Sequence, residues 1–206
     1  MARLCQEQLP EETVGRVEKL PSKAELRRVL LQQRRSLSHS EWRQKSDRIC
    51  SHLQSSPLLL QAQTILAYFS FRQEPDLSPL FTQTQKSWGF PRCVDKSLFW
   101  HPWQPNEPLQ KGAYGIFEPT TDSPPLTPDE VDLILLPTVA CDLQGYRLGY
   151  GGGFYDRLLS SAEWAAKPTI GIVFEFAYLP QLPRDNWDKP LQAICTEKGL
   201  KAILLG

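Results

Sequence analysis

Residues 147–157 read RLGYGGGFYDR. Gly149, Gly151, Gly152 and Gly153 fall within five positions, Arg147 precedes them, and Asp156 and Arg157 follow. A glycine has no Cβ, so backbone N–H groups in such a run can approach an anion closely. A helix starting just beyond would add unpaired donors. Phosphate is the guest this chemistry suits, with two arginines and an aspartate on the same turn, and a purely structural glycine turn is the alternative. The spacing matches neither standard phosphate motif. A P-loop needs G-x-x-x-x-G-K-[ST], and a dinucleotide fingerprint needs G-x-G-x-x-G behind an early strand. Here Gly149, Gly151 and Gly153 give G-x-G-x-G late in the chain, with no Lys, Ser or Thr after Gly153.

Four other places carry chemistry-bearing residues. Lys23 and Arg27 are four apart, so they share a helical face, as a phosphate site or as a solvated basic strip. Glu74, in FSFRQEPDL, follows an expected strand, and strand C-terminal ends are where α/β folds hold ligands. Arg92 lies in an apolar strand, where its charge calls for an anionic partner. Asp188, in NWDKPLQAICTE, precedes a late strand. With Asp156 it offers two carboxylates to one magnesium ion, which takes one or two carboxylates plus phosphate oxygens and water.

The elements that must position these groups are legible in outline. Ser22 with Glu25 forms a capping box that opens a helix to about Arg35. Ser40 is expected to open a second helix, with Trp42, Ile49 and Leu53 toward the core and Pro57 ending it. Strands are expected at 64–69, 87–94, 98–103, 131–136, 169–174 and 193–196, with another at 201–205. Helices are expected at 76–85 and 154–164, and proline-rich 104–130 reads as a long ordered loop. Strands alternating with helices imply an α/β layered domain, with a mixed sheet because 87–94 and 98–103 form a hairpin. Residues 21–206 are expected to form one domain behind a loose extension over 1–20.

Composition narrows the function. The 206 residues hold 23 basic and 23 acidic side chains, for a net charge of zero. That argues against bulk binding to nucleic acid or an anionic membrane. No apolar run reaches the roughly 18 residues of a membrane span, and the polar N-terminus does not resemble a secretory signal. Five cysteines and three histidines are scattered, without a C-x-x-C pair. This suits reduced thiols in a cytoplasmic protein rather than a zinc site.

RLGYGGGFYDR, preceded by DLILLP and a short loop, resembles the signature of the 5-formyltetrahydrofolate cyclo-ligases, also called 5,10-methenyltetrahydrofolate synthetases. The resemblance extends over nearly the whole chain beyond residue 20. It includes the K-x-x-x-R of Lys23 and Arg27, Phe69 with Glu74, GFPR at 89–92, YGIFEP at 114–119, and Asp188 with Thr196 and Glu197. Some members carry Arg and Lys where this chain has Tyr150 and Gly152, so backbone donors and Arg147 should carry more of the phosphate binding here.

The resemblance implies a three-layer αβα fold with a mixed, largely parallel sheet, like ribose-phosphate isomerases and CoA transferases. It implies a monomer that uses ATP and Mg2+ to cyclise 5-formyltetrahydrofolate to 5,10-methenyltetrahydrofolate. Lys23, Arg27, Arg147, Leu148, Gly149, Tyr150, Gly151, Gly152, Gly153, Phe154 and Tyr155 are then expected to bind ATP. Asp156 and Asp188 are expected to bind Mg2+. Phe69, Glu74 and residues 150–154 are expected to bind folate, and Lys23, Arg147 and Asp156 to be catalytic. Two alternatives stand beside this reading: a sugar-phosphate isomerase or CoA transferase-like enzyme, and a folate- or nucleotide-binding protein without turnover.

Overall fold

The computed structural model describes residues 21–83, 85–120 and 123–203. The extension expected over 1–20 lies outside the described residues. Ser22 caps helix α1 (Lys23–Arg35) with the expected box: its hydroxyl accepts from the Glu25 N–H at 3.3 Å, and its N–H donates to Glu25 Oε2 at 2.8 Å. Helix α2 (His39–Gln54) opens on Ser38 rather than Ser40, because Ser38 and Glu41 form a second box. Pro57 does more than follow α2. It occupies the first turn of α3 (Pro57–Gln61), where its missing N–H has no partner to lose.

The strands follow in order: β1 (Thr64–Leu66), β2 (Ser87–Val94), β3 (Ser97–Pro102), β4 (Leu109–Lys111), β5 (Phe117–Pro119), β6 (Leu133–Pro137), β7 (Ala140–Asp142) and β8 (Arg147–Leu148). Helices α4 (Phe154–Leu158) and α5 (Ala162–Ala165) lead to β9 (Thr169–Ile172), β10 (Tyr178–Leu179), β11 (Ala193–Thr196) and β12 (Gly199–Ala202). The main sheet has the order β12-β11-β9-β6-β1-β2-β3. Its five inner strands are parallel, and β3 and β12 close the two edges antiparallel.

Side chains alternate between two cores, one on each face of the sheet. Ile65, Leu133, Leu135, Ile170, Ile172 and Cys195 pack with Ile49 and Leu53 of α2. Leu66, Ile134, Leu136 and Ile194 pack with Leu30 of α1 and Leu158 of α4. The result is the expected α/β fold with a mixed, largely parallel sheet between helical layers.

Several expected elements differ. The strand at 64–69 stops at Leu66 and that at 169–174 at Ile172, while the strand at 131–136 is Leu133–Pro137. The helix expected at 76–85 is one 3-10 turn, Ser78–Leu80. Asp76 captures the Ser78 N–H at 3.0 Å and its hydroxyl at 2.9 Å, an alternative to helical bonding. The helix expected at 154–164 breaks into α4 and α5 at the Ser160–Ser161 pair, where the Ser160 hydroxyl turns back to the Arg157 carbonyl at 2.6 Å. Within 104–130 lie the β4–β5 hairpin and a 3-10 turn, Pro128–Glu130. The small sheet β10-β7-β8 was not expected, since its strands of two or three residues are too short to show a period.

Candidate active site

The chain runs from β1 to β2 on one side, then returns to lay β6 against the other side of β1. Loops leaving the C-terminal ends of β1 and β6 therefore diverge, and such a switch point is where open α/β sheets hold ligands. The Glu74 loop leaves β1, and the glycine turn follows β6 by way of the β7–β8 hairpin.

That hairpin aims Arg147. The Asp142 carboxylate is fully buried and ties the hairpin turn, accepting from the N–H groups of Gln144 at 3.0 Å and Tyr146 at 2.9 Å. Arg147 Nη2 then reaches Asp156 Oδ1 at 2.5 Å, and Nη1 donates to the Lys189 carbonyl at 3.1 Å. Gly151 (φ 102°) and Gly153 (φ 68°) lie in the left-handed region that a Cβ disfavours, whereas Gly149 and Gly152 do not. The N–H groups of Gly151, Gly152 and Gly153 donate to no described residue. Arg157 pins the turn from beneath, donating to the carbonyls of Gly152 at 2.9 Å and Lys96 at 2.8 Å. Because α4 has only five residues, its dipole is weak. Free backbone donors and nearby cations are the stronger features.

Helix α1 supplies those cations in a stripe: Lys23, Arg27, Leu30 and Arg34 recur at helical spacing along one face. Lys23 Nζ sits 2.8 Å from Asp185 Oδ2 and 2.6 Å from Asp188 Oδ2. Burial works against its charge, but hydrogen bonds and the charges of both aspartates outweigh it and raise the pKa. Arg27 Nε donates to the Gly149 carbonyl at 2.7 Å. Arg34 Nη2 donates to the Tyr150 hydroxyl. From Lys23 to Arg34 the stripe is about 16 Å long at 1.5 Å per residue.

Burial first, and then the charge of Glu74, push the Tyr150 hydroxyl up to about 12. Glu74 is buried, and its Oε2 accepts from the Phe71 N–H at 3.1 Å. Burial lifts its carboxyl to about 7, against the smaller lowering effects of Arg34, the Phe71 N–H and Tyr150. The tight turn that presents it holds Arg72 (φ 49°) and Gln73 (φ 57°) left-handed, a local strain borne to place one carboxylate. Phe69 stacks on Phe90 with centroids 4.1 Å apart, and meets Trp103 edge-on at 5.1 Å. This end therefore combines an aromatic wall with a buried acceptor.

The structure thus joins Arg147 to Asp156, Lys23 to Asp188, Arg27 to the Gly149 carbonyl, and Arg34 to Tyr150. Asp156 and Asp188 each meet a cation, Arg147 and Lys23 respectively. Among the described residues no group of three or more His, Cys, Asp or Glu side chains could hold a metal. Magnesium bound chiefly through phosphate oxygens takes only one or two carboxylates from a protein. Arg92 finds its anion in Glu118, 3.7 Å away, in the middle of β5.

Sequence reasoning missed Arg34 and Asp185. Arg34 is seven residues beyond Arg27, so helical spacing extended past Arg27 would have found it. Asp185 lies in a loop with no period to mark it.

Residues 19–197 match the model of the 5-formyltetrahydrofolate cyclo-ligase family. The chain is 31% identical to a 5-formyltetrahydrofolate cyclo-ligase of Mycolicibacterium smegmatis, over 88% of this chain and 97% of that protein. It is 28% identical to the protein of that name from Escherichia coli K12, over 82% of this chain and 96% of that protein. The solved structure of Aquifex aeolicus 5,10-methenyltetrahydrofolate synthetase superposes with a TM-score of 0.79 at 35% identity, covering 89% of this chain and 94% of that one. With a family match over most of its length and a shared fold, the chain belongs to the 5-formyltetrahydrofolate cyclo-ligase family.

Proposed function

We propose that this enzyme uses ATP and Mg2+ to close 5-formyltetrahydrofolate into 5,10-methenyltetrahydrofolate, releasing ADP and phosphate. The observation that carries the reading is helix α1 held against the glycine turn, with Arg27 on the Gly149 carbonyl and Arg34 on the Tyr150 hydroxyl. A basic helix face held against a turn of free backbone donors suits a reaction that begins with a phosphate donor.

The formyl oxygen of the substrate is a poor leaving group. Its phosphorylation by ATP makes it a good one, after which N10 attacks the activated carbon and phosphate departs. Phosphoryl transfer asks a protein mainly for positioning and charge stabilisation. Lys23, Arg27, Arg147 and residues 148–155 bind ATP, with free N–H groups of the turn and the buried Arg147 meeting its phosphates. Asp156 and Asp188 hold magnesium, whose chemistry is to neutralise phosphate charge. Arg147 orients Asp156, and Lys23 orients Asp188. Phe69 and residues 150–154 line the folate, and the Glu74 carboxylate accepts adjacent pterin N–H donors. Four described cysteines are free thiols, which suits a reducing cytoplasm, and we take residues 21–206 as one domain acting as a monomer.

Stoichiometry tests the coupling. One ADP and one phosphate should appear per methenyl product, and excess chelator should stop all three. Product that continues unchanged in chelator would remove magnesium from the mechanism. Product without ADP would remove phosphorylation.

A further inference from the structure

The loop after β10 is fastened along its whole course. The Leu182 N–H donates to the buried Asp142 carboxylate at 3.0 Å. Arg184 Nη1 donates to Gln144 Oε1 at 3.0 Å, and its guanidinium carbon lies 4.7 Å from the centre of the Tyr146 ring. Residues 185–188 then close as a tight turn. The Asp188 N–H donates to the Asp185 carbonyl at 3.1 Å, and the Asp185 N–H donates to Asp188 Oδ2 at 2.7 Å. Both aspartates hold Lys23 Nζ, and the Lys189 carbonyl accepts from Arg147 at 3.1 Å. On this braced turn stands Trp187, 64% exposed. No hydrogen bond or ring contact joins its side chain to another described residue.

A single exposed apolar side chain is ordinary on a protein surface. The setting of this one is not. A large flat ring is held on a fixed turn whose two ends grip a cation. The Lys23 ammonium has three hydrogens. Asp185 and Asp188 take two of them, at 2.8 Å and 2.6 Å, and the third is left for a further acceptor. The Lys23 side chain is 22% exposed, so a ligand can reach it. Four residues along α1, about 6 Å of helix, Arg27 meets the glycine turn at the Gly149 carbonyl. A continuous line of contacts therefore runs from the turn that carries Trp187, through Lys23 and one turn of α1, to the free N–H groups of the glycine turn. Flat apolar face, cation and phosphate cradle follow in the order of the parts of a nucleoside triphosphate. We propose that Trp187 is the platform on which the nucleotide base stacks, while the phosphates run past Lys23 to the glycine turn. This rests on the ATP assignment made above. Stacking needs no donor or acceptor from the protein, because every base has a π-face. A platform braced before the ligand arrives loses little freedom when it binds.

The test compares wild type, Trp187→Ala and Trp187→Phe in calorimetric titrations with ATP and with inorganic tripolyphosphate, which has the phosphates and no base. Trp187→Ala should weaken ATP about tenfold and leave tripolyphosphate within about twofold. Trp187→Phe keeps an aromatic face and should recover most of the lost ATP affinity. The KM for 5-formyltetrahydrofolate should stay within about twofold in both variants. Because the side chain is exposed, both should also keep the melting temperature of wild type. An ATP affinity unchanged in Trp187→Ala overturns the proposal. So does an equal loss for tripolyphosphate, which would mean that the residue shapes the phosphate cradle instead of meeting the base. A wild-type protein that binds no ATP would sink the nucleotide assignment itself, and this platform with it.

Discussion

Lys23 holds two ion pairs, and the ATP role proposed for it can be tested apart from them. Its ammonium lies between Asp185 and Asp188, and Asp188 is mostly buried. Lys23→Ala removes a charge-assisted contact worth about 1.5–3 kcal/mol, or roughly tenfold to over a hundredfold in ATP affinity. The KM for ATP should rise by that factor while the KM for folate holds. Unchanged ATP kinetics would return Lys23 to a purely structural role. Glu74 sits at the other end of the stripe, where burial sets stability against function. Its carboxyl lies at about 7 when folded, against 4.5 when free, so the folded protein binds the proton more tightly. Stability from that proton is full below the unfolded value and is lost as pH rises from about 4.5 to about 7. The difference corresponds to about 3 kcal/mol. Glu74→Gln lacks this slope and should therefore gain on wild type by up to that amount between about pH 5 and pH 8. The same variant should lose folate affinity, because an amide N–H replaces an acceptor. Urea unfolding at the two pH values checks the first effect and folate titration the second. Parallel pH curves would place Glu74 in a more solvated setting than the structure gives it.

Among the elements, the glycine turn separates conformational need from open space. Gly151 has φ 102° and its absent Cβ would point 3.6 Å from the Arg27 guanidinium carbon, whereas a Cβ on Gly149 meets nothing within 4 Å. Gly151→Val should lower stability by about 1–2 kcal/mol through forced positive φ, and should abolish measurable ATP binding. Gly149→Ala should leave the melting temperature within the change expected for about 0.5 kcal/mol. Calorimetry with and without ATP reads both effects, and equal behaviour of the two variants would mean that the turn is not held by its left-handed glycines. The same turn shows what a sequence carries at this scale. Its glycines, the capping box at Ser22 and the Lys23–Arg27 pair are local patterns, and each lands where local rules put it. The short α4 and the 3-10 turn at Ser78–Leu80 do not, because in each a side chain takes a backbone partner, the Arg157 carbonyl in one and the Ser78 N–H in the other. Arg34 hid for a related reason, since next to Arg35 it reads as an ordinary basic helix end.

At the scale of the molecule, sheet order decides what the local patterns can do. Apolar runs at 131–136 and 193–196 announced buried parallel strands, but pairing is non-local. Nothing in the sequence pattern itself places β6 against β1, and that pairing makes the switch point from which the Glu74 loop and the chain toward the glycine turn leave. Nor does it place Asp185 beside Lys23, 162 residues away in the chain. Family resemblance supplied the meeting of these parts before the fold did, and the fold supplies its physical cause. The most direct test of that meeting is the absorbance of the methenyl product formed from 5-formyltetrahydrofolate by the purified enzyme, with and without ATP, at saturating magnesium. The product band should grow only when ATP is present. A band that grows equally without ATP, or none in its presence, would contradict the account.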